Sequence, residues 1–371
     1  MALDPLADVR ILCLNSGSSS LKYAIYEMPA EQLLGSGEED ITSARDQPAA
    51  LRSVLDSVKR QGLQLDAIGH RVVFGGPEHM EPQRVDSELI ASLERLVEFD
   101  PTHTAALTAM RYVAAHVPEV PAVACFDSAF HKDMPAVAQS YPLPSDLGPM
   151  VRRFGYHGLS YEYVVSAIPP LERTLIAHLG NGASLAAIRN GRSIDTTMGF
   201  SPLGGVMMGT RPGDLDPGVL IYLLRAKRLD AEALSELLNS RSGLLGVSGT
   251  ADMRELLRRA AGDRAAQDAI SLYVYIAVKH IGALVAVLGG LDQFVFTGGI
   301  GEHAAPIRKA ICAGCAYLGV VIDDQLNDAN AACISAASSR VAVLVVATNE
   351  DLMIARHVSA LLSAERPTQR R

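Results

Sequence analysis

Val9–Glu27 reads VRILCLNSGSSSLKYAIYE and Thr174–Gly191 reads TLIAHLGNGASLAAIRNG. Both are the same unit: an apolar run of strand character, a tight turn of Gly, Ser or Asn, and a second apolar run. The two copies lie about 165 residues apart. An internal duplication of a hairpin-led domain follows from the pairing.

Working outward, strands and helices alternate, which favours α/β layers over an all-α or all-β chain. Residues 31–65 read as polar and then helical. Asp66–Val73 reads as a strand entering the turn FGGPE, and residues 86–98 as an amphipathic helix capped by Asp86 or Ser87. A helix over 104–116 and a strand over 121–127, ending in an acid, follow. Residues 132–155 contain prolines 135, 142, 144 and 149 and read as a loop-like domain junction. Residues 201–218 form a long Gly/Pro-rich loop, and helices dominate 217–290. QFVFTGGIGEHAAPIRKAI reads strand, Gly turn, helix; RVAVLVVATNEDLMIARHVSALLSAE reads strand, acidic turn, terminal helix.

The chain has 371 residues, which suggests two domains. Its 33 basic and 41 acidic side chains give a net charge of −8, against a nucleic-acid-binding protein. Hydrophobic residues make up 49% and charged residues 20%, which excludes a disordered chain. The start, MALDPLADVRILCLN, has no basic segment leading an apolar one, so no signal peptide is read. No uncharged apolar run reaches the length of a membrane span, Ile281–Leu291 being the longest candidate. Five scattered cysteines argue against a disulfide scaffold, and a reducing cytoplasm is expected. Cys312 and Cys315 have CxxC spacing, with a redox or metal reading set against that of small helix residues.

Four small-residue turns follow strand patterns: Asn15–Ser20, Gly75-Gly76, Leu179–Ser184 and Thr297–Gly301. Such turns let backbone N–H groups close on a phosphate, though each one alone is equally an ordinary tight turn. A P-loop and the protein-kinase signatures are absent from the sequence. Gly299–Ala304 fits GxGxxG/A, with Asp323 and Asp324 about 20 residues on, so a dinucleotide reading exists. It competes with the late position of that unit in the chain. Beside these turns stand Lys22, Arg71, Asp127, His157, Asn181, Arg211 and Glu350. A lone Arg is usually an ion-pair partner and a lone Asp usually a cap. As a set they suit phosphoryl transfer, which needs positioning, cations on the phosphoryl oxygens and a divalent metal. Two arginines could supply the cations, and Asp127 and Glu350 could hold Mg²⁺.

Eight segments in order resemble the acetate and propionate kinase family. They are NSGSSSLK from Asn15, FDSAFHKDMP from Phe126, FGYHG from Phe154, HLGNGAS from His178, MGFSPLGGVMMGTR from Met198, SGLLGVSG from Ser242, FTGGIGE from Phe296 and TNEDLMIAR from Thr348. The resemblance implies a duplicated actin-like (ribonuclease H-like) ATPase fold, with two domains and a central active-site cleft. On this chain the domains would be 1–145 plus 353–371, the terminal helix returning to the first domain, and 146–352. It implies ATP-dependent phosphorylation of acetate with Mg²⁺ or Mn²⁺, reversible to ATP formation, in a cytoplasmic homodimer that uses neither nucleic acid nor membrane.

Carried over by motif, Arg71 and Arg211 steady the carboxylate and the transferred group. His157 and Asn181 bond the phosphoryl oxygens, while Asn15, Asp127 and Glu350 organise the metal. Lys22, His178, Leu179, Gly180, Gly182, Asp252, Met253, Arg254, Gly299, Ile300, Gly301 and Ile307 belong to the nucleotide side. Val73, His103, Tyr156 and Pro202 shape the acid pocket. The chain departs from the family pattern at Thr102, at Tyr156 where Phe is usual, at Phe74 where His is usual, and in a shortened 30–65 region. Rival readings are a non-catalytic nucleotide-binding regulator on the same fold, a nicotinamide-dependent oxidoreductase, and a kinase of a longer acid such as butyrate.

Overall fold

The computed structural model describes residues 8–17, 20–41, 46–97 and 103–365. Ser18 and Ser19 of the first turn, Thr102, and the tail from 366 lie outside the described residues. Contacts group the chain into two units. The first holds the residues up to Phe130, Gly158–Tyr163 and those from Asn349; the second holds His131–His157 and Val164–Thr348.

The first unit contains β1 (Val9–Ser16), β2 (Ser20–Met28), β3 (Gln32–Asp40), β4 (Ala67–Val72), β5 (Gln83–Arg84) and β6 (Ala122–Phe126) in the order β3-β2-β1-β4-β6-β5. Strands β1 and β2 pair antiparallel, with Asn15 opposite Lys22; β1, β4 and β6 run parallel. The parallel strands are buried on both faces, as a continuous apolar run requires. On one face pack helices 47–60 and 103–116; on the other packs Glu350–Ala364, which buries Leu352, Ile354 and Val358 against Ile11, Cys13, Ala67 and Val123. Gly69 admits that helix, because a β-carbon there would overlap Ile354.

The second unit contains β7 (Arg173–Leu179), β8 (Ala183–Arg189), β9 (Arg192–Thr196), β10 (Gln293–Thr297) and β11 (Ala342–Val345) in the order β11-β10-β7-β8-β9. Here β7-β8-β9 is an antiparallel meander and β7-β10-β11 is parallel. Strand for strand this is the topology of β3-β2-β1-β4-β6. The duplication read from the two hairpins therefore extends to whole sheets, with β5 an extra edge in the first.

Three sequence expectations change. Residues 32–40 form edge strand β3, not a polar lead into a helix; its charged, mostly exposed side chains are those of a protected edge. The helix starting near 86 is Ser87–Glu94, and its cap is Asp86, whose Oδ1 accepts from Leu89 N at 2.8 Å. The proline-rich stretch 132–155 carries a helical turn at Ala136–Gln139 and a bridge between Ser140 and Arg152. Helix Arg264–Leu288 is the one described helix long and apolar enough to cross a membrane. Its stripe Ala266, Ala269, Tyr273, Ala277, Ile281, Leu284 and Leu288 is buried. Cys312 and Cys315 are free and buried, and burial pushes the Cys315 thiol up to about 12, which disfavours the reactive thiolate.

Candidate active site

In the first unit, the carboxyl ends of β1, β4 and β6 bring Asn15, Arg71 and Asp127 together, the usual place for a ligand site in an α/β sheet. Arg71 Nη2 donates to Asp127 Oδ2 at 2.6 Å and its Nε reaches both carboxylate oxygens. Its Nη1 donates to Asn15 Oδ1 at 3.0 Å and lies 3.4 Å from Glu350 Oε2. Asn15 Nδ2 closes the ring on Glu350 Oε2 at 3.2 Å. Glu350 is delivered by the terminal helix, whose first turn is capped by Asn349.

This cluster is rich in negative charge. Burial pushes the Asp127 carboxyl up to about 6; Arg71 opposes that shift and Glu350 adds to it. Burial also raises Asp351 to about 6, again with Glu350 adding, and its Oδ1 is buried without a hydrogen-bond partner among the described residues. Burial works against the Arg71 charge, but Asp127 and Glu350 raise its pKa all the same. Among the described residues no group of three or more His, Cys, Asp and Glu side chains is arranged to hold a metal by itself. Two or three oxygen donors with surplus negative charge nevertheless fit Mg²⁺, which binds few carboxylates and keeps its waters. Lys22 stands opposite Asn15, with its ammonium 3.9 Å from Glu38. Val73 follows β4, and His103 opens helix 103–116, buried with its ring 5.8 Å from that of Phe74.

In the second unit the β7–β8 hairpin turn, Gly180-Asn181-Gly182, is closed by Gly180 N on Gly182 O at 3.1 Å. His157 has φ +58°, a left-handed conformation rare for a residue other than glycine. Its Nδ1 is 2.8 Å from Ser184 Oγ and its ring stacks on His178 at 4.3 Å. A β-carbon placed on Gly182 would sit 3.4 Å from His157 Nε2 and 3.7 Å from Arg211 Nη2, so imidazole, guanidinium and glycine turn converge. Arg211 Nη1 donates to Pro202 O at 2.9 Å, and Tyr156 Oη donates to Phe200 O at 2.7 Å. Gly209 N donates to Asn181 O at 3.0 Å, and Leu244 N and Leu245 N bond Met208 O and Gly209 O. The loop that carries Arg211 is thus fixed by backbone on both sides.

Beside this turn opens a cavity of about 570 Å³. Gly180, Asn181, Asp252, Met253, Arg254, Gly299 and Ile300, which the resemblance assigns to the nucleotide side, line it; Lys22, His178, Leu179 and Gly182 do not. Gly301 and Ile307 are buried and do not line it. Sequence reasoning missed Leu257, His303 and Pro306 in its wall. Leu257 lies one helical turn after Met253, a signal that could have found it. Asp252 caps helix 253–259, accepting from Arg254 N at 2.9 Å, and its hydrogen bond to the Arg254 side chain lowers its pKa. A mostly apolar hollow beside a glycine turn is the form of a nucleoside-and-phosphate site.

Two sheets of one topology, each with polar groups at its strand ends, fit a phosphotransferase of the α/β class. The acetokinase family model matches residues 10–356. An acetate kinase of Rhodopseudomonas palustris is 42% identical over 97% of this chain and all of its own length. One of Streptomyces avermitilis is 40% identical over 96% of this chain and 98% of its own. Among solved structures, Porphyromonas gingivalis acetate kinase superposes with a TM-score of 0.85 at 35% identity, covering 95% of this chain and 100% of its own. A propionate kinase of Francisella tularensis gives 0.87 at 35% identity, covering 94% and 98%. The chain belongs to the acetokinase family and is a kinase with the actin-like fold.

Proposed function

We propose that this chain transfers the γ-phosphoryl group of ATP to acetate, forming acetyl phosphate and ADP, reversibly. The observation that carries the reading is the placement of one guanidinium, Arg71 and Arg211, at the strand-end cluster of each unit, with a donor imidazole and glycine turn beside the second. A carboxylate oxygen attacks the γ-phosphorus in line, and the bond from that phosphorus to the β–γ bridging oxygen breaks, its electrons leaving with ADP. Acetate is already ionised near neutrality, so no general base is needed. Arg71 and Arg211 neutralise the carboxylate and the equatorial oxygens. His157 donates to developing charge, its ring fixed by Ser184. Asn181 and the adjoining glycines cradle the phosphates, and Asp252, Met253, Arg254, Gly299 and Ile300 receive the nucleoside. Asn15, Asp127 and Glu350 would hold Mg²⁺, which when bound neutralises phosphate charge.

Propionate is a second acid reading, supported by the equal identity to the Francisella propionate kinase. Val73, Tyr156 and Pro202 are each proposed to act on the acid side, and an apolar wall separates acids differing by one methylene by only about 1–3 kcal/mol. A homodimer is proposed from helix 217–225, which buries none of its residues and leaves Val219, Ile221, Tyr222 and Leu224 exposed; light scattering at micromolar concentration checks it. Trapping the product as the hydroxamate with MgATP and acids from formate to butyrate tests the function. Product with acetate or propionate supports it. No product with any acid, in a chain that still binds ATP, favours the regulator reading.

A further inference from the structure

Phe200 has both of its backbone polar groups taken by tyrosine hydroxyls. Its N–H donates to Tyr141 Oη at 2.9 Å, and its carbonyl accepts from Tyr156 Oη at 2.7 Å. Two residues on, the Pro202 carbonyl accepts from Arg211 Nη1 at 2.9 Å. We propose that Tyr141 and Tyr156 are a pair of positioning residues that clamp Phe200 and so fix the turn on which Arg211 and the acid wall at Pro202 depend.

The surroundings favour a built device over a chance contact. Tyr156 is 1% exposed, and its ring cannot swing to find another partner without repacking. Gly199 lets the Tyr141 hydroxyl approach, since a β-carbon there would overlap it. Arg153 donates to the carbonyls of Thr196, Thr197 and Met198 at 2.9, 3.3 and 3.3 Å, and its guanidinium lies 5.7 Å from the Tyr141 ring centre. Phe154 N bonds Gly199 O at 3.0 Å, and Arg153 N bonds Gln139 O at 2.7 Å. The proline-rich stretch, a linker by composition, is therefore anchored at its two ends, through Gln139, Tyr141, Arg153 and Phe154, while residues 142–149 between them are exposed. Both hydroxyls hold backbone, so Phe at either position keeps the ring and removes only the bond. Arg211 extends Nη1 to Pro202 while Nη2 faces the Gly182 turn, and a loosened turn displaces that guanidinium.

The inference rests on the proposed acid-kinase reading, and the experiment separates the two. Acid and MgATP kinetics are measured for the wild type, Tyr141→Phe, Tyr156→Phe and the double variant, with acetate and propionate. Each single variant should raise the acid KM about three- to tenfold, the loss of one neutral hydrogen bond. The MgATP KM should stay within about twofold, and the propionate-to-acetate kcat/KM ratio should rise. The double variant should fall short of the product of the singles, because both bonds hold one residue. An unchanged acid KM and acid ratio, or equal rises in both substrates' KM with a lower Tm, overturns the clamp. If Tyr156→Phe fails to fold, Tyr141→Phe decides by the same criteria. A wild type that makes no acyl phosphate from any acid overturns the function itself and the clamp with it.

Discussion

The Asp127 carboxylate is 0% exposed and receives its guanidinium hydrogen bonds from Arg71, at 2.6 Å from Nη2 and 3.1 Å from Nε. Each partner depends on the other, because a buried carboxylate without its cation is strongly disfavoured. Arg71→Ala should lower kcat at least about 10²-fold by removing charge stabilisation. It should also destabilise the chain by about 3–5 kcal/mol, since Asp127 is left facing Glu350. Adding Asp127→Asn should restore much of the stability and none of the activity. Urea unfolding and kcat on the three proteins check this, and an active Arg71→Ala would count against the assignment.

Gly209 lies where a methyl group would overlap Asn181 Oδ1. Gly209→Ala should push the Asn181 side chain out of the hairpin turn. The KM for MgATP should rise about tenfold or more, from loss of at least one charge-assisted bond, with the acid KM changing less. Equal effects on both substrates would remove Asn181 from the nucleotide side.

Arg308 is a wholly buried cation held by carbonyls and amides. It donates to Gly301 O and Glu302 O at 2.9 Å each, and to Asn327 O at 2.6 Å, so it braces the short helix Gly298–His303, which stands where the sequence reads as a Gly turn. Arg308→Met should orphan those buried acceptors, lowering Tm by several degrees and weakening ATP binding. Calorimetric titration of ATP against both proteins checks it; unaltered affinity would leave Arg308 a purely structural residue.

His70 is buried on β4, neither ring nitrogen has a partner among the described residues, and burial lowers its pKa to about 4. It is neutral in the native state, while the unfolded chain charges it below about 6.5. Its contribution to stability is therefore complete above that value and lost as pH falls toward 4. Asp127 and Asp351, raised to about 6, act with the opposite sign, so a difference measurement is needed. Between pH 7 and pH 5 the wild type should lose about 2 kcal/mol more than His70→Leu. Parallel stability profiles would contradict this.

The hairpins and the strand-end residues were legible because apolar runs flank Gly/Ser turns and few other polar residues interrupt them. Asn15, Arg71, Asp127 and Glu350 are scattered along the chain, yet each ends a strand or opens a helix, and that shared position betrayed them. Strand β3 was hidden because an edge strand carries Gln, Ser, Glu and Asp on exposed positions and reads as loop. Tyr141 was hidden because its bond goes to a backbone N–H 59 residues away, which leaves no pattern in residue type. Arg308 looked like any helix cation, since its partners are carbonyls, which every sequence has.

The central claim is that a carboxylate oxygen of the acid forms the new bond to the transferred phosphorus. Acetate labelled with heavy oxygen, turned over with MgATP and quenched with hydroxylamine, tests it most directly. Hydroxylamine cleaves the acyl–oxygen bond and releases phosphate with whatever oxygen formed the phosphoryl bridge. The account predicts one heavy oxygen in each phosphate released. Unlabelled phosphate, or label carried into AMP, would contradict it.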